Sequence, residues 1–147
     1  MANNRTLTAA DAILMLQVAP VWPVFTRIKG FAADDITNID AVDTAETVMG
    51  VDGRLSAGYV PAPLRQTITL QADSQSNDYF EEWYRYERQN RQKLVASGQI
   101  VFRGTQRTYI CTRGFLRNYT PIPAARRILQ PRTFTIEWES VTSALSL

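Results

Sequence analysis

Asp52-Gly53 folds this chain back on itself. Both central residues of a type I′ turn need positive φ, and this pair meets that need at little steric cost. A two-residue turn there predicts a long β-hairpin over Thr44–Tyr59. Its arm is Val48-Met49-Gly50-Val51-Asp52-Gly53-Arg54-Leu55-Ser56-Ala57-Gly58-Tyr59. The turn sets Val51 opposite Arg54, Gly50 opposite Leu55, Met49 opposite Ser56 and Val48 opposite Ala57. In that register neither face is uniformly apolar, so the arm is not a simple core element. An arm that buries no face at home often buries one on a neighbour, which points to assembly rather than catalysis.

The rest of the chain reads as one domain. Its 147 residues suit a single unit spanning 1–147, large enough to need no staples. There is no histidine and one cysteine, Cys111, which excludes a disulfide framework and a Cys/His zinc site. Cys111 falls in the extended run Thr108–Thr112 and reads as a buried thiol, with no histidine to activate it. No apolar run approaches 18 residues and no signal peptide is evident, so a soluble chain in a reducing cytoplasm is expected, with no membrane partner.

Charge is divided along the chain. Residues 1–82 carry five Lys/Arg against eleven Asp/Glu, and residues 83–147 carry eleven against three, leaving −6 and +8. Fourteen of the 16 basic residues are Arg, a side chain favoured at interfaces for its planar, weakly hydrated fork. Codon bias is the plainer explanation of that excess.

Strand signals dominate. Ala12–Val18 suits a buried strand, Ala19–Pro23 breaks the ladder, and Val24–Ile28 resumes it. Gln66–Ala72 alternates, with Ile68, Leu70 and Ala72 facing inward. Residues 73–77 offer helix caps, and a helix is predicted over Asp78–Ser97 with Gly98 as its C′ residue. Its packed side runs through Phe80, Trp83, Tyr84, Glu87, Arg91, Leu94 and Val95. Ile100–Arg103 and Arg107–Thr112 flank a Gly104-Thr105-Gln106 turn, Gly114–Tyr119 extends the second strand, and Thr133–Glu139 alternates with Phe134, Ile136 and Trp138 on one face. Five to seven strands and one helix predict a mainly β (β+α) fold: a β-sandwich or barrel with one flanking α-helix and a long projecting β-hairpin.

Catalytic patterns are missing. Asp34, Asp35, Asp40 and Asp43 lack the spacing of a calcium loop and read as a solvated acidic loop. Glu137 and Glu139 share one strand face, but an edge opposite Phe134, Ile136 and Trp138 explains them more simply than acid/base chemistry does. No phosphate loop follows Gly53 or Gly58, and without histidine no usual triad forms. The expectation is a non-enzyme without cofactor or metal. The rival reading is a small basic nucleic-acid-binding β-domain. Arginines from Arg85 to Arg132 interleave with Phe102, Tyr109, Phe115 and Tyr119, as in single-strand grips. Strand alternation scatters them over both faces, however, and no RNP-like run occurs.

Four segments resemble the tail tube proteins of contractile-tailed bacteriophages. They are Gly30-Phe31-Ala32-Ala33-Asp34-Asp35, Met49–Gly53 with Ser56–Pro61, Leu70–Ser76, and Leu129–Phe134. The similarity covers about residues 12 to 140, and its motifs are structural. The resemblance implies hexameric rings stacked into a hollow tube that carries DNA as non-specific cargo. It implies a contractile tail sheath around the tube, and baseplate and tail-terminator proteins at its ends. The joining of rings would fall on the hairpin, on Met1–Thr8 and on Val141–Leu147. A baseplate or tail-terminator ring, or the related tube of a bacterial secretion or pyocin-like machine, belongs to the same assembly class.

Two expectations follow for assembly. A ring of identical subunits joins two different surfaces of one chain, and an acidic and a basic half suit that contact. Some of the arginines from Arg85 to Arg132, with Arg113, Arg117, Arg126, Arg127 and Arg132 as candidates, are therefore expected to meet acids within Asp34–Asp52 of a neighbour, with Asp34, Asp35, Asp40 and Asp43 as candidates. A conduit must also not hold its cargo, and fixed cations on the wall would bind phosphate. The bore is expected to be acidic or neutral, with Asp73, Glu137 and Glu139 as candidates.

Overall fold

The computed structural model describes residues 12–29, 37–102, 106–122, 125 and 127–145. In chain order these form β1 (Ala12–Val18), β2 (Trp22–Ile28), β3 (Thr37–Ile39), β4 (Ala45–Met49), β5 (Leu55–Tyr59), β6 (Leu64–Leu70), α1 (Asn77–Asn90), β7 (Ala96–Phe102), β8 (Arg107–Tyr119) and β9 (Arg132–Leu145). Seven strands make one sheet in the order β2-β1-β7-β8-β9-β6-β3, with β4 and β5 as a separate pair. Neighbouring strands are antiparallel throughout. The mainly β fold with one helix is as expected.

Alternation places one face of the sheet in a single core. Leu14, Leu16 and Val18 of β1 join Ile68 and Leu70 of β6, and Phe134, Ile136 and Trp138 of β9, all nearly inaccessible. Ile28 of the edge strand β2 belongs to the same cluster, and Ile39 of the opposite edge packs against it. Strands at both ends of the sheet reach one core, so the sheet curls. Extra residues in β2 opposite Leu16–Val18, and in β8 near Arg113 and Arg117, supply bends of the kind that allow it. Pro23 lies within β2, an edge position where a missing donor is tolerated.

The helix closes the core with Phe80 and Trp83. Phe80 stacks on Phe134 with ring centroids 4.2 Å apart, and Trp22 meets Phe80, Trp83 and Tyr79 edge-on. Ser74 and Ser76 do not cap the helix with their side chains. Ser76 Oγ accepts from Lys29 N (2.9 Å) and Ser74 Oγ donates to Lys29 O (2.6 Å), fastening the end of β2 to the helix start.

The helix ends seven residues earlier than Ser97. Arg91 adopts the left-handed conformation (φ 51°), its N–H bonds to Glu87 O, and the chain turns into β7. Leu94 is buried in the core from outside the helix. Gly98 is no cap but a sheet residue, since a Cβ there would lie 2.8 Å from the Trp138 ring. Gly114 is held to glycine by the same ring. Trp138 thus occupies the space vacated by two glycines, and its indole N–H donates to the buried Gln66 Oε1 (2.8 Å). Gln66 Nε2 in turn donates to Thr37 Oγ1 (2.8 Å), linking β9, β6 and β3 through a satisfied polar chain. Strand β6 ends at Leu70, leaving Ala72 beyond it.

Candidate assembly surfaces

The hairpin forms, but its turn is not the expected one. Gly53 N donates to Gly50 O (3.0 Å) and Gly50 N to Arg54 O (2.8 Å). Gly53 has φ +84°, and Asp52 Oδ1 accepts from Arg54 N (3.1 Å). This is the three-residue loop in which a turn over Val51-Asp52 is followed by a left-handed glycine bulge. The register therefore shifts by one: Met49 faces Leu55, Val48 faces Ser56, Thr47 faces Ala57 and Ala45 faces Tyr59.

That shift overturns the expectation of two mixed faces. Side chains of directly paired residues share a face, so Ala45, Met49, Leu55, Ala57 and Tyr59 gather on one side around Thr47. Glu46, Val48, Ser56 and Gly58 lie on the other. Every residue of β4 and β5 is exposed, with Met49 62%, Leu55 59% and Tyr59 81% accessible. The hairpin thus carries an apolar face that covers nothing among the described residues.

The acidic and basic candidates divide. Asp40 and Asp43 are exposed at the root of the hairpin, where Asp40 N bonds to Arg65 O (3.1 Å). Asp34, Asp35 and Arg126 lie outside the described residues, as do Met1–Thr8, the turn residues Gly104 and Thr105, and the last two positions of Val141–Leu147. Arg132 is committed within the body. It is 3% exposed, pairs with Glu81 (2.8 Å), and donates to Tyr119 Oη and to the carbonyls of Thr120 and Pro121. Its guanidinium also lies over the Tyr119 and Phe134 rings.

Arg113 and Arg117 meet the two glutamates proposed for the bore. Arg117 Nη1 contacts Glu137 Oε2 at 2.6 Å, and Arg113 Nε lies 3.7 Å from Glu139 Oε2. Arg65 stands opposite Glu137 on β6, and Phe115 opposite it on β8. On the outward face of the sheet centre the two glutamates of β9 stand beside arginines of β8 and β6, with Phe115 between them. Asp73 is not part of this group. That residue follows β6 at the far end of the sheet, beside Arg127, Ile128, Leu129 and Pro131.

Two other titratable groups are explained by packing. Burial pushes Glu87 above its ordinary 4.5, while Lys93, 3.1 Å away and also bonded to Leu116 O, opposes the shift. Burial alone pushes the Cys111 thiol up to about 11. An un-ionised, enclosed thiol is no nucleophile. Among the described residues no cluster of metal-ligating side chains occurs.

Some exposed groups escaped the sequence reading. Ile122, Ile128 and Leu129 are 77%, 74% and 56% accessible in the loop between β8 and β9. Apolar residues in a loop punctuated by Pro121, Pro123 and Pro131 were a legible signal.

Comparison with known proteins places these surfaces in context. The family described as Tail fiber protein gp32 matches residues 5–142. No curated protein matches the chain. Among solved structures, a chain of the anti-feeding prophage baseplate superposes with a TM-score of 0.66 at 8% identity, over 98% of this chain and 97% of that one. A chain of the anti-feeding prophage tube-terminating cap gives 0.59 at 13%, over 99% and 95%. A chain of the sheath-tube complex of an extracellular contractile injection system gives 0.56 at 12%, over 90% and 88%. The tail-tube resemblance read from the sequence is borne out as a fold.

Proposed function

Since the chain belongs to the tail fiber protein gp32 family, a phage-tail family, we propose that it is a structural, non-enzymatic subunit of a contractile-tail tube. Six copies form a ring, rings stack into a hollow tube, and a sheath encloses it. Baseplate and terminator proteins close the ends, and DNA passes through the bore. The observation that carries this reading is the hairpin: an apolar face on a two-stranded arm, exposed along its whole length. Isolated two-stranded hairpins are marginal in water, so such an arm gains its order by docking. A chain of the same fold in a sheath-tube complex is consistent with that assembly.

Charge supports head-to-tail contact between copies. Asp40, Asp43 and Glu46 are exposed at and near the hairpin root, and Arg85, Arg88 and Arg91 are exposed on and just beyond α1. These two sets suit each other across a subunit boundary, with Arg127 as a further exposed cation. Glu137 and Glu139 suit a bore wall because the wall would then carry internally neutralised charge. Arg117 and Arg113 are held by those carboxylates, which lowers their pull on phosphate. The same pairing, with Arg132 buried, weakens the nucleic-acid-binding alternative.

Negative-stain microscopy of the purified chain is the test. Rings or tubes are the expected result, and a salt series should weaken the lateral contact. A compact monomer at high concentration, binding DNA tightly at low salt, would overturn the proposal.

A further inference from the structure

We propose that the cleft at the Leu70–Arg132 end of the sheet receives the hairpin tip of a second copy; this rests on the stacking reading above. The cleft has a volume of about 600 Å³ and is lined by Gln71, Ala72, Asp73, Arg127, Ile128, Leu129 and Pro131.

Topology sets the donor and the receiver at opposite ends of the same strands. Strand β3 runs toward the Leu64 end of β6 and leaves after Asp40, and the chain returns from the hairpin into Leu64. Both stems of the arm therefore leave the sheet at one end. At the other end β6 runs out through Leu70 into Gln71–Asp73, while β9 begins at Arg132, the partner of Leu70. The cleft residues lie directly beyond that pair. Seven residues of β6 separate the two ends by about 20 Å. Copies translated along β6 would bring the arm of one toward the cleft of the next. Such a contact joins unlike surfaces and does not close on itself, which is the requirement for a stack.

The two surfaces also match in kind. The tip presents Met49, Val51 and Leu55, all well exposed, and the cleft presents Ile128 and Leu129. Beside its apolar residues the tip carries Asp52 and Arg54, and the cleft carries Arg127 and Asp73. Among the described residues none of these four charges is in an ion pair. Asp52 with Arg127 and Arg54 with Asp73 give one acid and one base on each side.

The experiment is a cross-link joined to a charge swap. A Leu55→Cys, Leu129→Cys double variant is treated with a short bis-maleimide under assembly conditions. The two sites stand at opposite ends of one chain, so linkage is intermolecular and reads as a ladder on a denaturing gel. Cys111 is buried and leaves the background clean. Arg54→Glu alone and Asp73→Arg alone are expected to lose stacking, and the two together to regain it. All four positions are exposed, and an unchanged melting curve checks the fold. Ordered stacks without a ladder, or a double swap that does not recover, overturn this cleft as the receiver and leave the stacking reading standing. An unaltered chain that forms no ordered oligomer overturns both.

Discussion

The arm and the body are made of the same antiparallel ladder, yet water treats them oppositely. In β6 and β9, Ile68 and Phe134 face each other at 0% exposure beneath a helix. In β4 and β5, Met49 and Leu55 face each other at 62% and 59%. The pairing chemistry is alike, so the difference lies in what covers the apolar face. The body brings its own lid, α1, with Phe80 on Phe134. The arm has none among the described residues. A β-ladder is thus not a unit of stability until a second layer arrives, and on the proposed assembly the arm's second layer comes from another copy.

The largest test of that contrast lies in the body. Trp138→Ala empties the space above Gly98 and Gly114 and strands Gln66, and should cost about 3–5 kcal/mol in denaturant unfolding. A loss below about 1 kcal/mol would mean that the core is not organised around this ring. A smaller effect belongs to the turn. Gly53→Ala forces an L side chain into the left-handed region and should cost the arm about 1–2 kcal/mol. Faster amide exchange should appear over Ala45–Tyr59 while the melting of the body stays put. A joint shift would join what the comparison separates.

A subtler change sits under the helix. Burial raises the Glu87 pKa above 4.5 despite Lys93. A carboxyl raised in the folded state contributes stability that is complete below the unfolded value and is lost as pH rises through the folded one. Glu87→Gln, which does not ionise, should therefore gain on the parent as pH climbs from 4 toward neutrality. The opposite trend in paired melting curves would show that Lys93 outweighs burial. Smallest of all on the isolated chain is Met49→Ser with Leu55→Ser. Both side chains are exposed, so unfolding should move by no more than about 0.5 kcal/mol. Sedimentation should nevertheless show assembly lost, and retained assembly would make the arm's apolar face irrelevant.

Much of the body was legible from local pattern. Ala12–Val18 became β1 with the same bounds, and the inward set Phe134, Ile136 and Trp138 followed from strict alternation. The arm was legible as a hairpin but not in its register. Asp-Gly serves both a two-residue turn and a bulged three-residue loop, and choosing between them depends on a single φ/ψ assignment along the turn. That one-residue difference hid the apolar face. The helix terminus was misplaced for another reason. Gly98 looks like a stop signal, but its missing Cβ answers to Trp138, forty positions downstream. The candidate charges divided in the same way, since only the fold sets Arg117 beside Glu137 and turns Arg132 inward.

Periodicity, turn-forming pairs and the absence of histidine were enough to establish a β-rich, histidine-free domain with a hairpin and one helix. Those features depend on residues a few positions apart, where backbone sterics and side-chain alternation act without help. Register, burial of charge and the placing of arm and cleft at opposite ends of the sheet needed the folded molecule. They depend on contacts between distant segments, whose energies differ by only a few kcal/mol among alternatives that local rules leave equal.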